Sequence, residues 1–170
     1  VDGVVDEVTE FALVAFQKVN GMAPTGALSP EVTTAVLATN APPPPLVPGG
    51  GANRVEVDLA RQVLFLYEGD SLSRILPVSS GNGERFCEGG RCRYAVTPTG
   101  DFNIYRQVQG WDNGPLGDLY NPQYFNGGIA IHGARSVPAE PASHGCIRIP
   151  MSAAEWFPQH VAKGTPVYVR

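Results

Sequence analysis

The chain has 170 residues, of which 43% are hydrophobic and 16% charged, with a formal net charge of −4. That length suits one catalytic domain, with or without a small appendage, and supplies enough apolar material for a core. With no run of Lys or Arg a nucleic-acid partner is disfavoured, and no apolar stretch approaches the roughly 18 residues of a membrane span.

Residues 1–40 contain an imperfect half-repeat. Asp2-Gly3-Val4-Val5 runs on to Ala12-Leu13, and Thr25-Gly26-Ala27-Leu28 runs on to Ala35-Val36. Phe11, Leu13, Val14, Phe16 and Gln17 predict a short amphipathic helix that Asn20-Gly21 stops. Ser29-Pro30-Glu31 reads as an N-cap followed by proline at the first helical position, opening a second helix to about Thr39. The D-G turn, the A-F-Q helix and the T-G-x-L-S-P turn make this segment resemble a small helical peptidoglycan-binding domain that lacks its first helix. The resemblance implies affinity for glycan; a plain helical spacer fits the same residues. About 40 residues is marginal for an independent fold, so the segment is expected to pack on its neighbour.

Ala41 to Gly51, A-P-P-P-P-L-V-P-G-G-G, combines stiff polyproline with a glycine swivel and marks a boundary. The division that follows is a helical module over 1–40, a linker over 41–52 and a main domain over 53–170. No leader is legible in a chain that opens mid-domain at Val1, which leaves room for one cut away upstream.

From Asn53 the pattern turns to period two. Strands are predicted at 54–58, 62–67 and 72–79, alternating as half-buried strands do, with turns at Asp58–Arg61 and Glu68–Asp70. Ser79-Ser80-Gly81-Asn82-Gly83 begins a loop carrying two cysteines. Thr97-Pro98-Thr99-Gly100 leads into a strand over 101–107. Residues 115–128, rich in Asn, Gly and Tyr, read as a loop, and 128–132 as a strand. A helix is expected over 152–161, capped by Ser152 and kinked or ended by Pro158, before a last strand at 165–169. Gly and Pro at about twice their usual share agree with many turns. The sum is a mainly β, mainly antiparallel domain, sandwich or barrel, with one helix and a small all-α module ahead of it.

Three cysteines divide into a pair and a remainder. Cys87 and Cys92 bracket Glu-Gly-Gly-Arg, a loop short enough to close into a disulfide, and Cys146 is left over. A bridge beside one free thiol points to an oxidising location. Three reduced thiols are the plain alternative; a zinc site would want a paired C-x-x-C, which is missing.

The chemistry concentrates in Ile129-Ala130-Ile131-His132-Gly133 and Ser143-His144-Gly145-Cys146-Ile147-Arg148-Ile149. Two of the three histidines and the unpaired cysteine fall there. A thiolate is a good nucleophile, and an imidazole can take its proton and pass it to a leaving group. Gly145 lets the backbone beside the sulfur bend. His132 and His144 compete for the role of base, His144 lying two residues from the sulfur. Arg148 suits either a substrate carboxylate or a brace for the loop. Tyr120 and Tyr124, with Phe125 and Trp111, form either a groove wall or a cover for the core. His160 is expected at the surface.

H-G followed by S-H-G-C-x-R, preceded by V-S-S-G and T-P-T-G, resembles the L,D-transpeptidase (YkuD-type) catalytic domain from about residue 54 to 170. The resemblance implies a β-sandwich-like fold and an extracytoplasmic, cell-wall location. It implies Cys-based acyl transfer between peptidoglycan stem peptides and sensitivity to carbapenem β-lactams; neither cofactor nor metal is expected. Cys146 falls on the nucleophile, His132 on the base, and Gly133 where a backbone carbonyl orients the imidazole. Ser143, His144, Gly145 and Arg148 fall on the surrounding motif, with amides near Gly145 and Cys146 facing the oxyanion. The alternatives are an L,D-carboxypeptidase on the same fold, in which water takes the thioester, a wall-binding protein without catalysis, and a metal site built from His132, His144 and Cys146.

Overall fold

A computed structural model of the chain describes residues 6–51, 53–114 and 116–170. The D-G-V-V half of the N-terminal repeat, Ala52 at the end of the linker, and Pro115 at the start of the expected 115–128 loop lie outside the described residues.

The N-terminal helices form where their caps place them. Helix α1 (Glu7–Val19) starts at Asp6, whose carboxylate accepts the Thr9 amide, and stops at Asn20 before Gly21 at φ +66°. Helix α2 (Pro30–Ala38) starts at Ser29, whose hydroxyl accepts the Val32 amide. Buried Gln17 joins the two, its amide nitrogen donating to Thr25 Oγ1 and Ala27 O while its oxygen accepts the Gly26 amide. The linker is tied down. Leu46 N–H donates to Glu56 Oε2 at 2.6 Å, and Tyr168 Oη to Gly50 O at 2.8 Å.

Two five-stranded sheets share one core. The first comprises β1 (Arg54–Asp58), β2 (Val63–Glu68), β3 (Ser71–Pro77), β6 (Gly100–Asn103) and β12 (Pro166–Val169), in the order β3-β2-β1-β12-β6. The second comprises β7 (Arg106–Gln107), β8 (Trp111–Gly114), β9 (Gly117–Asn126), β10 (Ile129–Ala134) and β11 (Ile147–Pro150), in the order β11-β10-β9-β7 with β8 on β9. Val55, Leu64, Leu66 and Val167 of the first meet Phe125, Ile131, Ile147 and Ile149 of the second, and helix α3 (Met151–His160) adds Phe157. A separate hairpin, β4 (Arg85–Glu88) and β5 (Arg91–Tyr94), places Cys87 directly opposite Cys92, and the two are disulfide-bonded.

The mainly β architecture expected from the pattern is present, with several corrections. Strands β1 and β2 are buried along nearly their whole length, not half-buried. Leu64 and Leu66 face the shared core, while Val63, Phe65 and Tyr67 pack with Val19 of α1 and Leu46 of the linker. The second face is dry because the N-terminal segment covers it. Two pairings, β1 with β12 and β10 with β11, are parallel. The expected strand over 101–107 is two, broken at Ile104-Tyr105, where the chain leaves the first sheet for the second. The expected loop at 115–128 is largely the ten-residue strand β9, whose Asn and Gly content hid its buried stretch from Asn121 to Phe125.

Helix α3 begins at Met151, with Pro150 at the cap position and no side-chain cap, so Ser152 does not serve. Pro158 does not end it; the helix runs to His160. A proline has no N–H for the carbonyl four residues earlier. Here Asn121 Nδ2 donates to that carbonyl, Ala154 O, at 2.9 Å. Asn121 does so from a left-handed conformation, φ +47°.

Candidate active site

Parallel pairing of β10 and β11 sets His132 opposite Arg148 in the ladder, and Cys146 stands one residue before β11 begins. His132 and Cys146, 14 positions apart in sequence, thus become neighbours by strand register. Cys146, His132, His144, Ser143 and Arg148 line one groove of about 1310 Å³.

His132 is buried, and its Nδ1 donates to Gly133 O at 2.9 Å, which leaves Nε2 as the proton acceptor. Gly133 is required by packing: a Cβ there would sit 2.6 Å from Ala154 Cβ and 3.2 Å from both Met151 Sδ and a Tyr120 ring carbon. Helix α3 therefore presses directly on the strand that carries the imidazole. Burial lowers the His132 pKa to about 4, the Gly133 bond opposing and the Arg148 charge assisting. The Cys146 thiol is half-buried, with Sγ 3.7 Å from Gly128 O. Burial pushes its pKa up, against the pull of the Ala130 amide and the Arg148 charge. Burial thus favours the neutral form of both groups.

The loop before the sulfur is braced from within. Ser143 Oγ donates to Cys146 O and accepts the Gly145 amide at 3.0 Å. That amide is thereby engaged inside the loop rather than presented to an oxyanion. Gly145 lies at φ +133°, where a side chain is strained, and a Cβ would come within 2.9 Å of Ile129 Cδ1 and 3.0 Å of Val96 O. Thr97 Oγ1 donates to Gly145 O at 2.7 Å and accepts the Gly81 amide. Ser80 O accepts the amides of Ala142 and Ser143. Gln62 anchors Ser80, and the buried Lys18 ammonium of α1 donates to Gln62 O at 3.1 Å and Val78 O at 3.2 Å. The V-S-S-G and T-P-T-G motifs are thus the two rails on which the loop rests.

Tyr124 lines the groove, its hydroxyl on Asp112 Oδ2 at 2.8 Å; burial and that carboxylate push its pKa up to about 12. Tyr120 does not line it. Its hydroxyl donates to Glu155 of α3 at 2.8 Å and its ring packs on the core, because the irregular register of β9 on β10 turns it away. Phe125 lies in the core, whereas Trp111 lines the groove. His144 has its ring edge-on to Phe86 of the hairpin, with centroids 4.8 Å apart. Phe86 carried no signal in the sequence, nor did Arg93, Tyr94 and Arg135, which also line the groove. Arg148 pairs through its backbone with Ser79 on one side, and its side chain lines the groove. His160 contacts Glu68 near the surface, remote from these groups.

The family model described as YkuD, L,D-transpeptidase catalytic domain, matches residues 52–169. Among solved structures, an L,D-transpeptidase fragment (residues 123–326) from Xylanimonas cellulosilytica DSM 15894 is 38% identical, with a TM-score of 0.90 over 99% of this chain and 83% of that one. An L,D-transpeptidase from Stackebrandtia nassauensis is 21% identical, with a TM-score of 0.61 over 93% of this chain and 75% of that one. The L,D-transpeptidase LdtMt1, solved in complex with imipenem, is 20% identical, with a TM-score of 0.55 over 70% of this chain and 59% of that one. The latter two share the fold. A search of the curated proteins finds no match.

Proposed function

Since the chain belongs to the YkuD family of L,D-transpeptidase catalytic domains, we propose that it cross-links peptidoglycan stem peptides with Cys146 as nucleophile and His132 as base. The observation that carries this reading is the fixed tautomer of His132. Its Nδ1–H is committed to Gly133 O, so the remaining nitrogen has a lone pair to offer within the groove that holds the sulfur. His144 is held edge-on to Phe86 instead and shapes the pocket.

The donor is a stem tetrapeptide, cleaved at the bond preceding its terminal D-residue. As Sγ attacks the carbonyl, its proton passes to His132 Nε2, and the C=O electrons collect on oxygen. With the Gly145 amide engaged by Ser143, the oxyanion falls to the Cys146 N–H and the Arg148 guanidinium, a stabilisation typically worth ~3 kcal/mol per donor. The C–N bond then breaks, the imidazolium protonates the departing amine, and a thioester remains. An amine from a second stem attacks it, gives its proton to His132, and restores the thiol as the cross-link forms. Neutral resting groups suit this scheme, because no ion pair has to be dismantled before the substrate enters.

The disulfide at Cys87–Cys92 supports an extracytoplasmic site of action, where such bonds persist. The same thiol is the expected target of carbapenems. No described helix is long and apolar enough to cross a membrane. Residues 53–170 form the catalytic domain in this reading, with the helical module of 1–40 and the 41–52 linker ahead of it. Incubation with a stem tetrapeptide tests the function through its products. A cross-linked dimer supports transpeptidation, a trimmed tripeptide supports the carboxypeptidase, and unchanged peptide with retained sedimentation on sacculi would leave only wall binding.

A further inference from the structure

Among the described residues, four arginines line the groove, Arg93, Arg106, Arg135 and Arg148, against one carboxylate, Asp118. The chain as a whole is acidic at −4, so this concentration of positive charge is local. Arg106 is neutralised by Asp112 at 2.9 Å. None of the six ion pairs among the described residues uses Arg135 or Arg148. Arg93 has Glu88 at 3.1 Å, but that pair is open to solvent on the arginine side. Exposed pairs of this kind are worth little and can be exchanged for a ligand carboxylate.

Two of these arginines stand near aromatic rings, one in the hairpin and one just after β10. Arg93 lies across the disulfide-closed hairpin from Phe86, with its guanidinium 5.1 Å from the Phe86 ring centroid. The same ring meets His144, two residues before the nucleophile. At the base of the hairpin, Thr97 bonds Gly145 O and Val96 O packs against Gly145, which ties the hairpin to the Cys146 loop. Arg135 follows His132 by three residues, and its guanidinium stands 5.8 Å from the Trp111 ring centroid. A guanidinium resting on an aromatic face keeps its donor edge available for a carboxylate.

We propose that the groove selects donor peptides by free carboxylates near the scissile bond, with Arg93 and Arg135 as its specificity-determining residues. The inference rests on the transpeptidase reading. The hairpin, closed at Cys87–Cys92, is then a wall that presents Arg93 at a fixed position relative to the sulfur. It follows that amidating the donor's carboxylates removes the groove's grip, and that rising salt weakens recognition by screening.

The test compares a stem tetrapeptide bearing free carboxylates with its side-chain carboxamide form, on wild type, Arg93→Gln and Arg135→Gln. Wild type is expected to favour the free acid by about fivefold in kcat/KM, carried by KM and reduced at high salt. Each variant should lose most of that preference while handling the carboxamide donor as wild type does. Alkylation of Cys146 by neutral iodoacetamide should be unchanged in both, showing the nucleophile intact. The paired variant Cys87→Ser/Cys92→Ser should resemble Arg93→Gln. Equal rates with both donors, or variants that slow both donors alike, would overturn the proposal while leaving the transpeptidase reading in place. No acylation by either donor would overturn both.

Discussion

Lowering the pH from 7 to 4.5 should destabilise the wild-type protein by about 2.5 kcal/mol more than a His132→Gln variant. Burial holds the imidazole pKa at about 4, against 6.5 for the exposed side chain. Between those values the unfolded chain binds a proton that the native state refuses. Each pH unit descended in that window therefore costs the native state about 1.4 kcal/mol, and below about pH 4 the loss stops because the native ring is protonated too. His132 is only 5% exposed, so solvent screening takes little from the effect. Glutamine keeps an N–H for Gly133 O but does not titrate. Urea unfolding of both proteins at the two pH values provides the measurement, and the difference of differences cancels the carboxylates they share. Parallel pH dependences in the two proteins would mean that the ring is not held neutral, and would remove the basis for a resting imidazole beside a resting thiol.

The same neutrality predicts that iodoacetamide alkylates Cys146 slowly at pH 7, with a rate that climbs to a midpoint above the ordinary thiol value of 9.0; a plateau already reached at neutral pH would indicate a thiolate–imidazolium pair instead. Lys18→Met removes an ammonium that bonds Gln62 O and Val78 O, and should lower stability by roughly 2 kcal/mol in chemical denaturation. An unchanged midpoint would show that α1 contributes nothing to the rails beneath the loop. Asn121→Ala leaves Ala154 O without its donor and should cost about 1–3 kcal/mol. Because Pro158→Ala restores a backbone N–H for that carbonyl, the double variant should be less destabilised than the sum of the single changes, and strict additivity would refute the substitution of one donor for the other.

Local motifs grouped the candidate site residues more readily than they showed the topology. His132 and Cys146 stood out as candidates because a rare residue type stood in an ordered run with Gly and Arg, and local patterns also showed the Ser29 cap, the Asn20-Gly21 stop and the disulfide. What depends on distant partners was hidden. The alternation expected of β1 and β2 gave way to full burial because α1 and Leu46 cover their outer face. Strand β9 looked like a loop because its polar residues bond to helix α3 and to neighbouring strands, as Asn121 does to Ala154 O. Tyr120 and Tyr124, four residues apart, read together as either a groove wall or a core cover, yet the register shifts between β9 and β10 send one to Glu155 and the other to the groove. V-S-S-G and T-P-T-G were visible as motifs, but only the fold shows that Ser80 and Thr97 receive the loop that ends in Cys146. The arginines of the groove come from β5, β7, the bend after β10 and β11, and no local pattern joins them.

The most direct test is the intact mass of the protein during incubation with a stem tetrapeptide, followed by peptide mapping, on wild type and Cys146→Ala. A covalent adduct equal to the donor less its terminal amino acid is expected, mapped to the peptide containing Cys146, cleared by an acceptor amine and absent from the variant. Turnover that persists in Cys146→Ala, or an adduct mapped to another residue, would contradict it.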